Sequence, residues 1–270
     1  MRPFEIHRGE SPLVLAFPHT GTDLPPEIYT RLNANGRILA DTDWHVDRLY
    51  RDLLPEATVV RANFHRYVID ANRDPRDVSL YPGLNTTGLV PLSDFDGEPI
   101  WEPGQEPGDG DITARLNAFH RPYHSALARE IERVKLRHGI ALLYDCHSIR
   151  PVIPFLFERI LPDFNIGTNL GLTCNPALER AALDIVASAP GYSHVLNGRF
   201  KGGWTTRHYG KPASGVHAIQ MELSQATHLG EEEHRFDYDE AKAARLRPIL
   251  QTLLIHLEEL VRRLAPASLP

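Results

Sequence analysis

The sequence predicts an α/β fold: a mixed, mostly parallel sheet with helices on both of its faces. Short apolar runs of strand length alternate along the chain with stretches of helical periodicity. Those helical stretches are long enough to carry the chain back over a sheet, which favours parallel pairing. No internal repeat or low-complexity tract divides the 270 residues, so residues 1–270 are read as one domain.

The elements follow in order. Residues 13–17, "LVLAF", are apolar throughout, as a strand buried on both faces is. A helix is predicted over 43–54, with Asp41 or Asp43 as a candidate N-cap. Strands are predicted over 58–61 and over 67–70, "YVID". Residues 74–110 are rich in Pro, Gly and Asp and lack periodicity. With Tyr81, Leu84, Leu89, Phe95 and Trp101 among them, they read as an ordered lid over an active site rather than a linker. A long helix over 112–137 precedes a strand over 140–145, and a further strand is predicted over 155–157. A helix over 176–189 leads to strands over 195–197 and 217–223. The last helix, over 238–264, carries Leu246, Ile249, Leu250, Leu253, Leu254 and Leu257 at helical spacing, a core-facing stripe.

Composition narrows the function classes. A formal charge of −6 argues against nucleic acid or anionic membrane as the main partner, because both need a basic face. No signal peptide and no membrane span is expected, since the start has no apolar core and no run approaches the length of a span. Two cysteines without paired spacing fit a reducing cytoplasm. Fourteen histidines direct attention to metal or acid–base chemistry.

The chemistry gathers at strand ends. In "ALLYDCHS" an apolar run stops at Asp145, Cys146, His147 and Ser148. Alternation puts Asp145 and His147 on one face and Cys146 on the other, so Cys146 and His147 cannot form a nucleophile–base pair. His147 falls where open α/β sheets place their ligands. His19, in "LVLAFPHTG", occupies the same kind of position after another strand. Two such histidines can converge on one cleft, and a zinc ion there needs a third ligand, commonly an acid. Asp23, Asp41, Asp43 and Asp47 are all near His19 in sequence, and spacing does not choose among them. In "HAIQMEL", Glu222 sits near the end of an apolar strand on the face of Ala218 and Gln220. An acid there must be paired or shifted in pKa, which makes it a general-base candidate. "FHRPYH" sets His120 and His124 four apart, but no Glu follows His120 and Pro122 interrupts. The pair is read as supporting the site or touching substrate, not as metal ligands. The segment "NGRFKGGWTTRHYGK", with Arg199, Lys201, Arg207, His208 and Lys211, is either solvated surface or an anion site. In the second case Gly202 and Gly203 would let the backbone come close. Serine-hydrolase, Walker and dinucleotide spacings are absent.

Together "PHTG", "DTDWHVDRLY", "RYVIDANR", "GLNTTGLVP", "RPYHSAL", "DCHSIR", "PDFNIGT", "GYSHVLNGRFKGGWTTRHYG" and "MELSQ" resemble the N-formylglutamate amidohydrolase family over residues 10–230. That family is distantly similar to zinc carboxypeptidases and aspartoacylase. The resemblance implies a carboxypeptidase-like (phosphorylase/hydrolase-like) fold, a cytoplasmic enzyme of histidine degradation, and Zn2+ or another divalent metal. It implies His19, Asp43 and His147 as metal ligands and Glu222 as general base, with Asp145 and Ser148 orienting the ligands. The position three after His19 is Thr22, where carboxypeptidases carry their acid, so Asp47 and Asp23 stand as alternatives to Asp43. Arg73, Arg199 and Arg207 are the candidates for gripping two substrate carboxylates, with Arg66 and Arg150 behind them. The partner is then a small anionic substrate. The rival readings are a zinc amidohydrolase for another N-acylated acidic amino acid and a non-catalytic anion-binding protein.

Overall fold

The computed structural model describes residues 1–230 and 235–266 of the chain. In chain order the elements are β1 (Phe4–His7), β2 (Leu13–Phe17), α1 (Pro26–Tyr29), α2 (Val46–Tyr50) and β3 (Thr58–Ala62). There follow α3 (Asp109–Arg115), α4 (Arg121–His138), β4 (Ala141–Ile149), β5 (Phe164–Gly167), α5 (Pro176–Ala187) and β6 (His194–Leu196). The chain closes with α6 (Trp204–Tyr209), β7 (Val216–Ser224) and α7 (Glu240–Leu264). These strands form one sheet in the order β1-β3-β2-β4-β7-β5-β6. β3, β2, β4 and β7 run parallel, β1 and β5 pair antiparallel at the junctions on either side, and β6 is parallel to β5. The sheet is therefore mixed with a parallel centre, as expected.

Alternation along the central strands sorts side chains into two layers. Leu13, Leu15, Leu142, Tyr144, Cys146, Ile219 and Met221 face α2, α5 and the leucine stripe of α7. Val14, Ala16, Leu143 and Ala218 face Tyr123, Leu127, Ile131 and Val134 of α4. Asp145, His147, Gln220 and Glu222 share the parity of this second face. Because the four central strands run the same way, their carboxyl ends lie along one edge of the sheet, where ligands bind in open α/β folds.

Local chemistry explains several boundaries. Asn175 accepts from the Ala177 N–H (2.9 Å) to start α5, and Asp239 accepts from Lys242 N–H (2.9 Å) to start α7. The long helix predicted over 112–137 runs from Asp109 to His138 through one π-turn at Leu116–His120. Pro122 lacks an N–H, and a widened turn just before it absorbs the missing bond.

Other expectations are corrected. Residues 67–70 are not a strand: Val68 N–H donates to His65 O and Asp70 N–H to Leu89 O, turning the chain beneath the lid. Residues 155–157 form a turn, with Leu156 N–H donating to Ile153 O. The helix over 43–54 shrinks to five residues, since His45 at φ 59° lies in the left-handed region and ends any helix begun earlier. β1 and β5, short and partly polar in sequence, had no alternation strong enough to mark them. Residues 74–108 hold no helix or named strand. They are anchored by the buried Leu89, Phe95, Ile100 and Trp101.

Candidate active site

Two loops meet at the carboxyl edge. β2 ends at Phe17, and the next turn brings His19 to the edge. Gly21 in that turn presses on Asn63, where an added Cβ would sit 2.3 Å from backbone, so no larger residue fits there. Asp43 N–H donates to His19 O (3.0 Å), which joins the 41–43 segment to this turn. From the neighbouring strand His147 points to the same place. His19, Asp43 and His147, all buried, each offer one ligand atom, and these lie within 4.8 Å of one another.

The pairing of the ring nitrogens tells how such a triad can hold a cation. His19 Nε2 lies 2.7 Å from Asp70 Oδ1, and His147 Nε2 lies 3.1 Å from Asp145 Oδ1. Both Nδ1 atoms turn toward Asp43 Oδ2, at 3.7 Å for His19 and 3.0 Å for His147. Ligand atoms around one small metal ion stand roughly 3.3 Å apart, and the separations of both rings from Asp43 are of that size. Asp70, hydrogen-bonded to His19 Nε2, fixes the tautomer that leaves Nδ1 of that ring free for a metal, while His147 Nε2 stands between Asp145 and the Asn72 amide, whose Nδ2 lies 3.2 Å away. The electrostatics point the same way. Burial opposes charge on Asp43, yet the hydrogen bonds to His147 and His19 outweigh it and hold the carboxyl below its ordinary range. Burial also opposes charge on His147, but Asp145 and Asp43 overcome it and raise its pKa well above normal. In the protein alone, a proton on His147 supplies the positive charge these acids demand. A divalent cation fits the same demand and displaces that proton.

Asp43 answers the choice left open among the nearby acids. Asp47 instead pairs with Arg61 (3.2 Å) in a separate groove, and Asp23 is exposed. Asp41 is no cap either: it accepts from Tyr67 OH (2.9 Å) and from Phe95 N–H (3.0 Å), tying the lid to the segment bearing Asp43.

The triad opens into a cavity of about 70 Å³, also lined by Arg66, Asn72, Arg73, Tyr81, Ser148, Arg199 and Glu222. Glu222 stands beside His147 in register on β7. Gln220 Nε2 donates to its Oε2 (3.1 Å). Burial pushes its pKa up to about 8 against the pull of His147, so the carboxyl is poised to exchange a proton near neutrality. Arg66 is already neutralised by Asp70 (2.5 Å). Arg73 and Arg199 are different. Arg73 is bound by Thr87 O (2.9 Å) and by the Thr86 and Thr87 hydroxyls (3.1 Å each), with Asp70 only at 3.9 Å. Arg199 donates to Leu156 O (3.0 Å) and Asn85 O (2.9 Å). Burial draws both guanidiniums below their usual pKa. Cations held by neutral groups in a cavity are suited to gripping carboxylates brought by a ligand.

The remaining expected residues fall around this core. Asp145 also accepts from Thr206 Oγ1 (3.1 Å). Ser148 lines the cavity but bonds none of the triad; its Oγ accepts from Gln225 Nε2 (3.4 Å). His120 and His124, their pKa values lowered by burial, pair with Arg73 O (3.1 Å) and Ala71 O (2.7 Å), bracing the backbone that carries Asn72 and Arg73. Two expectations are corrected. Arg207 does not line the cavity: its Nε donates to Gly202 O (2.8 Å) and its guanidinium lies over Tyr81. Arg150 is likewise outside the cavity lining and pairs with Asp96 (2.6 Å), because the residue after a strand end can turn away from the edge. Gly203 lets its backbone lie close against the Asn72 side chain, which an added Cβ would meet at 2.3 Å. Sequence reasoning missed Asp70, Asn72 and Tyr81. The signal for Asp70 was present, an acid ending an apolar run.

The model of the N-formylglutamate amidohydrolase family matches residues 11–229. N-formylglutamate deformylase of Pseudomonas aeruginosa is 46% identical over 252 residues, covering 92% of this chain and 94% of that protein. The Pseudomonas putida protein of the same name is 47% identical over 252 residues, covering 92% and 93%. Among solved structures, N-formylglutamate amidohydrolase from Ralstonia eutropha JMP134 superposes with a TM-score of 0.82 at 28% identity, covering 97% of this chain and 99% of that one.

Proposed function

This chain belongs to the N-formylglutamate amidohydrolase family, and from that premise we propose that it hydrolyses N-formyl-L-glutamate to formate and L-glutamate. We propose zinc as the metal, a cytoplasmic location, a step in histidine degradation, and one amidohydrolase domain over residues 1–270. The observation that supports the activity is the meeting, in one cavity, of a metal-holding triad, a buried acid and two guanidiniums without close carboxylate partners. The two buried free cysteines support the compartment.

His19 Nδ1, Asp43 Oδ2 and His147 Nδ1 would hold the ion, with Asp70 and Asp145 fixing the rings. When bound, zinc supplies a Lewis acid that makes water a nucleophile near neutral pH. Arg73 and Arg199 hold the two substrate carboxylates and so set the formyl group against the triad. Glu222 accepts a proton from the attacking water as the new C–O bond forms. Asn72, whose Nδ2 lies 3.2 Å from His147 Nε2, keeps that ring in place. As the C–N bond breaks, Glu222 delivers its proton to the leaving nitrogen, and the products are formate and L-glutamate.

The test is formate release by the purified protein from N-formyl-L-glutamate, beside N-formyl-L-aspartate and N-acetyl-L-glutamate, with zinc measured per chain. Formate from the first substrate, lost on chelation and restored by zinc, is the expected result. Equal or faster turnover of the acetyl compound would replace this reading with a broader amidohydrolase.

A further inference from the structure

The two cavity guanidiniums are held by a single short piece of chain. A loop from Asp77 to Leu89 is closed at its neck by Leu89 N–H donating to Asp77 Oδ1 (2.6 Å). Thr86 and Thr87 bind Arg73, while Asn85 O accepts from Arg199, so the segment ending in Thr87 touches both cations. Little core packing fixes this loop. Val78 and Leu84 are both 54% exposed, and a second cleft of about 210 Å³ lies against it, lined by Val78, Ser79 and Leu80 among others.

Besides Asn85 Nδ2, which donates to Phe155 O (2.8 Å), the loop is fixed by Tyr81. Its hydroxyl donates to Gly202 O (3.2 Å) and accepts from Lys201 N–H (3.2 Å), which ties the loop to the glycine-rich segment. Two guanidiniums, those of Arg199 and Arg207, rest on its ring, each ζ carbon 5.2 Å from the ring centre. Cation–π contacts of this kind are strongest where the cation is desolvated. Arg207, excluded from the cavity, thus acquires a use: it braces the ring that Arg199 rests upon.

We propose that Tyr81 is a positioning residue that fixes the spacing of Arg73 and Arg199, and that this spacing selects a glutamyl over an aspartyl substrate. The inference rests on the reading that these two guanidiniums hold the two carboxylates. A ligand one methylene shorter cannot engage both cations at once if their separation is rigid. If the loop drifts, the separation becomes adjustable and the preference fades.

Two measurements separate this inference from the activity it builds on. The first is the ratio of kcat/KM for N-formyl-L-glutamate to that for N-formyl-L-aspartate. One methylene is worth about 10- to 200-fold in a fitted site. Tyr81→Leu should bring the ratio to within about threefold of unity by raising KM for the longer substrate, with kcat and zinc content little changed. Tyr81→Phe, which keeps the ring that both guanidiniums rest on, should retain most of the preference. Arg207→Gln should lower the ratio less than Tyr81→Leu does. The second is calorimetric binding of glutarate and succinate, which needs no turnover: wild type should prefer glutarate and Tyr81→Leu should not. If Tyr81→Leu keeps the wild-type ratio, or loses equally on both substrates, the inference is wrong. Absence of formate release by wild type would instead remove the proposed function, and a glutarate preference abolished by Tyr81→Leu would still stand for the spacing.

Discussion

Glu222→Gln tests the buried acid in two independent ways. The Glu222 carboxyl has an ordinary pKa of 4.5 and is raised by burial to about 8. Between those values the unfolded chain has released this proton while the native metal-free protein keeps it. The native state then binds more protons than the unfolded state, so stability falls as pH rises through that window. The ceiling of the loss is about 3.5 pKa units, or roughly 5 kcal/mol. With the effective dielectric of real interiors, we expect about 2 kcal/mol. Gln carries no such proton and still fits beside the Gln220 amide, which now donates to Glu222 Oε2. Urea denaturation of chelator-treated wild type and variant at pH 5 and pH 8 gives the difference of differences. The variant should gain on wild type by about 2 kcal/mol at the higher pH, and saturating zinc should erase most of that gain by favouring the carboxylate. In the loaded enzyme the same substitution should retain zinc and lower kcat by at least about 100-fold. An identical pH response in the two proteins would refute the buried, proton-holding carboxyl. A kcat within a few-fold of wild type would show that another group moves the proton.

Three further outcomes are expected. Asp43→Ala should lose bound zinc on dialysis, whereas Asp47→Ala, which breaks only the pair with Arg61, should keep it; metal analysis decides, and the reverse result moves the ligand. Asp70→Asn should weaken zinc affinity by about 10- to 100-fold, measured by competition with a chelating dye, and unchanged affinity would show that His19 needs no carboxylate behind it. Arg199→Ala should cost about 2–5 kcal/mol in kcat/KM for N-formyl-L-glutamate, and a loss below twofold would remove Arg199 from the substrate site.

How much of this was legible depends on the range of the rule involved. Strand alternation is local, so the common face of Asp145 and His147 could be read from "ALLYDCHS" and that of Gln220 and Glu222 from "HAIQMEL", as could the position of His19 after "LVLAF"; that the two faces coincide needed the register that pairs His147 with Glu222. Asp43 needed more, because Asp41, Asp43 and Asp47 look alike until the backbone bond from Asp43 N–H to His19 O sets which one faces the turn. The basic block could be counted but not aimed. Arg199 and Arg207 both meet the ring of Tyr81, which comes from a loop more than a hundred residues away, and only Arg199 lines the cavity.

Asp70 shows where a better use of the same physics was open. Three apolar runs end in or carry a lone acid: "YVID" at Asp70, "LLYD" at Asp145 and "IQME" at Glu222. Burying one unpaired carboxylate costs several kcal/mol, so no fold can place three of them in its core without cations to meet them. The chain resolves the cost by bringing all three to one edge of one sheet. There Asp70 faces Arg66 and His19, Asp145 faces His147, and Glu222 stays largely protonated in the metal-free protein. Taking "YVID" as a strand obscured this, since a strand would have carried Asp70 along the sheet rather than turned it back toward His19. The acid itself was the stronger signal. A carboxylate that ends an apolar run must find a cation or keep its proton, and three of them converging mark the place to look for a site before any ligand is counted.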